Sequence, residues 1–346
     1  MSAHGPRTAG PQLLCNNRKR NVRVLVGVVS AVLTPFFLTA CHSGDSTAPN
    51  TPPTTTSGVV WSSVPSGITQ DLSSVWGTSA SDVWAVGDEM ILHYNGVAWS
   101  FSSTSLANLR GVWGSSSSDV WAVGFLPASG FNGAILHYDG KSWSTVSIGA
   151  SPGLFGVWGF SASDVWAVGS GYTILHYDGT SWSTVRQGDG RIFFVLRSVW
   201  GSSSSDVWAV GGGSDFVDAE GTMLHYDGTR WTSVPSGTSE FNGVWGTSAS
   251  NVWTVGYGGV YHYNGNGSPT VSSTGKAAAF YGAWASSASD AWAVGTGGTI
   301  LHYDGSSWSS VSSATSWPLS GIWGSSSSNI WAVGCCGTIV HGSPPG

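Results

Sequence analysis

The sequence predicts an all-β fold: a seven-bladed β-propeller of four-stranded antiparallel blades, closed by an N-terminal strand that completes the last blade. Three observations predict it. A unit of about 40 residues recurs seven times, marked by Trp76, Trp113, Trp158, Trp200, Trp245, Trp284 and Trp323. Each unit holds four short β-type runs, and no 3.6-residue apolar period appears among them. The last unit stops after its third run, and the missing fourth stands at the other end of the repeats. There Trp61-Ser-Ser-Val-Pro-Ser-Gly67 matches Trp231-Thr-Ser-Val-Pro-Ser-Gly237, a fourth run, almost letter for letter. A ring sealed in this way has no open sheet edge.

The chain begins with an address. Arg18, Lys19, Arg20 and Arg23 precede an uncharged apolar run from Val24 to Leu38 that contains Pro35. That run is too short for a membrane span of roughly 20 residues, so a secretory signal is the better reading. It ends in Leu38-Thr39-Ala40-Cys41, which resembles the lipobox of bacterial lipoproteins. The resemblance implies cleavage before Cys41 and a lipid on its thiol. It also implies extracytoplasmic placement, at an outer membrane or cell surface because His42 is not the aspartate of inner-membrane retention. Residues 1–40 are thus expected as signal peptide, 41–57 as a lipidated Ser/Thr/Pro tether, and 58–346 as the propeller.

Within a unit the runs read V-W-G (a), D-V-W-A-V-G (b), T-I-L-H-Y (c) and W-S-T-V (d). Gly/Ser/Asp turns join a to b, and Asp-Gly or Asn-Gly joins c to d, a strong hairpin signal. A second tryptophan follows the first after eight residues in every unit, at Trp84, Trp121, Trp166, Trp208, Trp253, Trp292 and Trp331. The pattern D-V-W-A-V-G…G-T-I-L-H-Y-D-G-T-S-W resembles bacterial BNR/Asp-box-type propeller repeats, especially those of photosystem II assembly-factor propellers. Its Y-D-x-x-x-W stretch is also partly kelch-like. Asp178-Gly179-Thr180-Ser181-Trp182 departs from a strict Asp box, lacking the residue between Asp and Gly. These motifs are structural, so the resemblance implies a fold more than an activity.

Composition narrows the function classes. Twenty-one tryptophans exclude intrinsic disorder, and four cysteines exclude a disulfide-built scaffold. The net charge is −6, and all 18 acidic residues follow Cys41, so the mature chain is markedly acidic and no nucleic-acid partner is expected. The fourteen repeated tryptophans of runs a and b would expose far more apolar area than a soluble chain tolerates, so they are core. Seven of the nine histidines (His93, His137, His176, His225, His262, His302, His341) form a ring too wide to chelate one ion. They are expected to hydrogen-bond between blades. Asp82, Asp119, Asp164, Asp206 and Asp290, with Asn251 and Asn329 in their place twice, read as a–b turn formers. No metal and no cofactor is expected.

The a–b and c–d turns are nearly constant, whereas the b–c and d–a connections vary, and in an up-and-down blade those two classes share a face. Candidate binding residues on that face are Arg110, Arg186, Arg191 and Arg197, the aromatics Phe125, Phe131, Phe216 and Trp317, and the acids Asp215, Asp218 and Glu220. Cys335-Cys336, in the last b–c turn, is expected either to form a vicinal disulfide or to stay reduced. A sialidase-like glycosidase needs an arginine triad and paired carboxylates. The arginines here crowd one sector, and Glu89, Glu220 and Glu240 are the sole glutamates. The expectation is a monomeric, non-catalytic module that binds a protein or glycan and meets the membrane through its lipid anchor alone. The alternatives are an envelope-complex assembly scaffold, which the family resemblance implies, and a glycosidase.

Overall fold

The computed structural model describes residues 58–346 except 188–193, 214–220, 237–239, 273 and 275–277, with backbone alone at 104–106. The signal, the tether and Cys41 lie outside the described residues, as do Arg191, Asp215, Phe216, Asp218 and Glu220. What is described is a closed ring of seven antiparallel blades. The innermost strand of each blade, run a, packs against run a of both neighbours, and blade 7 meets blade 1. The closing strand Val60–Ser63 pairs with Ile339–Ser343, Trp61 standing opposite Gly342.

Six sheets carry these seven blades. Five are four-stranded, and the sixth joins blades 1 and 2 because two strands each serve twice. Asp82–Tyr94 bends from run b into run c of blade 1, and Trp99–Ser116 runs from d of blade 1 into a of blade 2. The connection inside Trp99–Ser116 contains neither Pro nor Gly before Arg110, so nothing interrupts the extended backbone. The connections into blades 3, 4, 5, 6 and 7 all contain one or the other.

The repeated polar residues form one network per blade. In blade 4, Asp206 accepts hydrogen bonds from Ser202 Oγ, from Trp208 Nε1 at 3.1 Å and from His225 Nε2 at 2.7 Å. The His225 ring stacks on Trp208 with centroids 4.1 Å apart. Equivalent His–Asp bonds occur at His93, His137, His176 and His302, and Asn251 substitutes at His262. The histidines therefore bond within their own blades, not between blades as expected. Run c carries His opposite the run-b tryptophan, in direct reach of the Asp that opens run b.

Contact between blades falls to the aromatic rings instead. Each run-b tryptophan has its histidine on one side and the next blade's tyrosine or run-d tryptophan on the other. Trp121, for example, meets Tyr177 at 4.9 Å and Trp182 at 5.4 Å. Trp61 plays the run-d part for blade 7, packing edge-on against Trp292 at 5.7 Å. All seven run-b tryptophans are 3% exposed or less.

Run-a tryptophans lie over the glycine that follows the equivalent tryptophan of the next blade. A Cβ on Gly114 would stand 2.8 Å from Trp76 Cη2, closer than carbon atoms approach, so that glycine is a steric requirement. Two blades break the rule. Blade 6 carries Ala285 in place of the glycine, and Phe160 takes the slot above Gly201, its Cζ 2.5 Å from where a Cβ would be. The tryptophans that would use those slots, Trp245 and Trp158, are the two run-a tryptophans that remain half-buried. They meet each other edge-to-face at 4.9 Å, although a whole blade separates them in sequence. Core formation thus holds for twelve of the fourteen, while these two turn towards the axis.

Candidate binding site at the channel mouth

In every blade the register of run a slips by one residue at the same place. The slip lies between Leu72 and Ser74 in blade 1 and between Leu109 and Gly111 in blade 2, and likewise around the ring. The bulged residues are Ser73, Arg110, Phe155, Arg197, Asn242, Tyr281 and Ser320. Each lies between a buried Leu or Phe and a Gly or Ser, so it is the variable position in a nearly constant strand. A bulge re-aims a side chain and sharpens local twist. Here seven of them line one axial cavity of about 160 Å³, whose wall continues through the small residues and valines to the tryptophan ring.

Two sectors of this mouth are organised by arginine. Arg110 donates to Ser73 Oγ at 2.8 Å, pairs with Asp88 at 3.3 Å and lies over the Phe125 ring at 5.3 Å. Phe125 in turn contacts Phe131 at 5.1 Å and Phe155 at 6.0 Å. Burial pushes the Asp88 carboxyl above its ordinary range, Arg110 opposes that, and the nearby Asp71 and Glu89 add to it. Arg197 pairs with Glu240 at 3.2 Å and reaches the Phe241 carbonyl at 3.5 Å. Beside it, burial raises the phenols of Tyr257 and Tyr281, so both stay protonated hydrogen-bond donors at neutral pH.

Backbone strain concentrates on the same face. The five non-glycine residues with left-handed backbone among those described are Glu89, Phe131, Tyr172, Ala314 and Cys336. Four lie in b–c turns and Ala314 in a d–a connection. Non-glycine residues in this region cost of order 1 kcal/mol or more each, and such positions gather at ligand-contacting rims.

The predicted residues divide accordingly. Arg110 and Arg197 face the axial cavity. Arg186 is elsewhere, in a groove of about 670 Å³ between blades 3 and 4 with Tyr172, Arg230 and Trp231, its guanidinium 5.6 Å from the Tyr172 ring. The expected single arginine sector is therefore two sites, because bulge positions point inward and run-d positions outward. Phe125 is 3% exposed and supports the site from beneath, whereas Phe131 and Trp317 are exposed. Sequence reasoning missed Ser73, Phe155, Asn242, Ser320 and Tyr257. The signal was present: the third residue before each run-a tryptophan changes chemical class from blade to blade.

The arrangement offers fixed hydrogen-bond donors, neutralised arginines and aromatic faces, which is chemistry for recognition. In fold the chain is similar to YCF48 from Cyanidioschyzon merolae (TM-score 0.65, 16% identity, covering 82% of this chain and 99% of that one). It is equally similar to a YCF48 structure described as bound to D1 peptide (TM-score 0.65, 15% identity, 85% and 99% covered). The WD40 β-propeller domain of Doa1 also superposes (TM-score 0.65, 13% identity, 82% and 96% covered). At these identities the likeness extends to the propeller architecture. No protein-family model matches the chain, and no curated protein matches it in sequence.

Proposed function

We propose that the chain is a non-catalytic, protein-binding propeller that seats a peptide segment of its partner on the channel mouth. The observation that carries this reading is the ring of seven bulges: a constant scaffold that varies one inward-facing residue per blade. A cavity of about 160 Å³ suits one or two side chains of a partner, with the rim holding the adjoining backbone. The YCF48 structure bound to a peptide supports the reading by showing that a ring of this architecture accepts such a ligand. Both rim carboxylates at the arginines, Asp88 and Glu240, are held in ion pairs, which supports binding over general acid–base work.

A random peptide library selected against the full chain tests it. Enriched peptides should lose about 30-fold or more in affinity to the Arg110→Ala, Arg197→Ala double variant, the scale of a hot-spot loss near 2 kcal/mol. Selection of no peptide, together with retention on a glycan array, would replace this reading with a lectin. The anchoring at Cys41 belongs to the same proposal, since the tether that follows it over residues 42–57 would carry the ring clear of a membrane. Mass spectrometry of the mature protein reads it directly, and an unmodified Cys41 thiol removes the anchor.

A further inference from the structure

The strongest feature outside the channel mouth is the b–c turn of blade 7, Cys335–Gly337, where it meets the first blade. We propose that Cys335, Cys336 and Asp71 form a binding site for a thiophilic d¹⁰ divalent cation, Zn²⁺ by preference, at the seam where the ring closes.

The argument starts from the turn. Blades 3 and 6 place glycine, Gly171 and Gly297, at the left-handed position of the same turn, with φ of 64° and 61°. Blade 7 places Cys336 there with φ 58°, accepting a backbone cost that glycine avoids. In an extended strand adjacent side chains point to opposite sides. This tight turn instead brings the two sulfurs within 3.1 Å of each other. Cys335 is buried at 4% exposure, and Cys336 is half-buried. Asp71, from the connection into blade 1, accepts the Cys336 N–H through Oδ1 at 2.8 Å. No other hydrogen bond to its carboxylate occurs among the described residues, which leaves Oδ2 as a ligand. One donor atom from each of the three residues lies within 4.8 Å of the others.

Charge and spacing favour a cation over a cystine. Two thiolates and a carboxylate are three anionic donors, and no arginine or lysine pairs with Asp71 among the described residues. Asp88, which interacts with Asp71, is an acid as well, and the nearby Arg110 is taken up by Asp88 at 3.3 Å. Two Zn–S bonds of about 2.3 Å in a tetrahedron set the sulfurs roughly 3.8 Å apart. A disulfide requires about 2.05 Å. From 3.1 Å the first needs a smaller movement, one that rotation about Cα–Cβ supplies. Binding exchanges the two thiol protons for one M²⁺ and releases both protons to solvent. A water completes four-coordination, as in sites with three protein ligands. The expectation of no metal was drawn from the seven histidines, and they take no part here.

Cadmium titration of the reduced full chain tests the proposal. It should bind one equivalent more Cd²⁺ than the Cys335→Ser, Cys336→Ser double variant, with a thiolate-to-metal charge-transfer band absent from that variant. Both proteins keep Cys15 and Cys41, so the difference isolates the turn. Cys336→Gly restores the residue used in blades 3 and 6, so it should fold and still lose the band. Asp71→Asn should weaken binding at least tenfold. Zn²⁺ should raise the melting temperature of the parent chain alone, and a chelator should reverse the rise. An identical band in the parent and the double variant would overturn the site. So would a pair isolated two mass units light that, once reduced, binds no Cd²⁺, which would make it a cystine.

Discussion

Replacing Asp206 by alanine should cost about 3–5 kcal/mol, whereas Asp206→Asn should cost about 1 kcal/mol. Asp206 is 7% exposed, and its two oxygens accept from Ser202, His225 and Trp208. Alanine would strand three donors beneath the stacked His225 and Trp208 rings, at about 1–3 kcal/mol for each unmet group. These losses are not independent, which holds the total to the range seen when one partner of a buried polar pair is removed. Asparagine should keep the network because the chain already uses it twice, at Asn251 and Asn329. In blade 5, Asn251 accepts from His262 Nε2 at 2.6 Å through Oδ1 and donates to Thr247 through Nδ2 at 2.6 Å. The assay is denaturant unfolding at constant m, read as the shift in midpoint. Equal losses for the two variants, or a loss under about 1 kcal/mol for alanine, would refute the hydrogen-bonding account. Acid should report the same network. Burial pushes the Asp206 carboxyl up, but the donors of His225, Ser202 and Trp208 outweigh it and hold it below the ordinary 3.8. A depressed carboxyl stabilises the fold above its unfolded value, and that contribution disappears as pH falls through the lower folded value.

Two further outcomes follow from the blades that depart from the repeat. Burial lowers the imidazole of His262 below its ordinary 6.5, so the neutral ring contributes stability above pH 6.5 that is lost as pH falls below it. Asn251→Asp would supply a carboxylate and should flatten the dependence of the unfolding midpoint between about pH 5 and 7; an unchanged slope would count against it. Ala285→Gly reopens the slot beside blade 6, so Trp245 should leave Trp158, giving up an edge-to-face pair of about 0.5–1.5 kcal/mol. Near-ultraviolet circular dichroism identical to the parent's would show that the methyl group of Ala285 does not govern that ring.

Most of the architecture could be read in the residues themselves. The tryptophan spacing, the Asp-Gly turns and the displaced Trp61 strand are repeated or unique enough to fix blade count and closure. The histidines were misplaced because their register against run b decides their partner, and a one-residue difference in pairing separates an in-blade bond from a cross-blade one. For Arg110, Arg186 and Arg197 the sequence does not give the radius at which each stands. Arg110 and Arg197 sit at bulges of the innermost strand, and a bulge turns a side chain independently of strand alternation, whereas Arg186 ends the outermost strand of blade 3, just past a register slip at Val185. The role of Ala285 was hidden for a different reason. A glycine-to-alanine change is invisible until the neighbouring indole is known to occupy that space.

The pairing of Ser62 with His341 spans 279 residues, the first-made strand waiting for the last. At about 5–20 residues per second a ribosome needs from a quarter of a minute to about a minute to span that interval. Throughout it the newborn chain accumulates one indole-rich sheet after another with no means to seal the ring. Prematurely terminated copies therefore cannot imitate the finished product: they end as open arcs with a raw edge, conspicuous to any protease or chaperone that surveys unfinished chains.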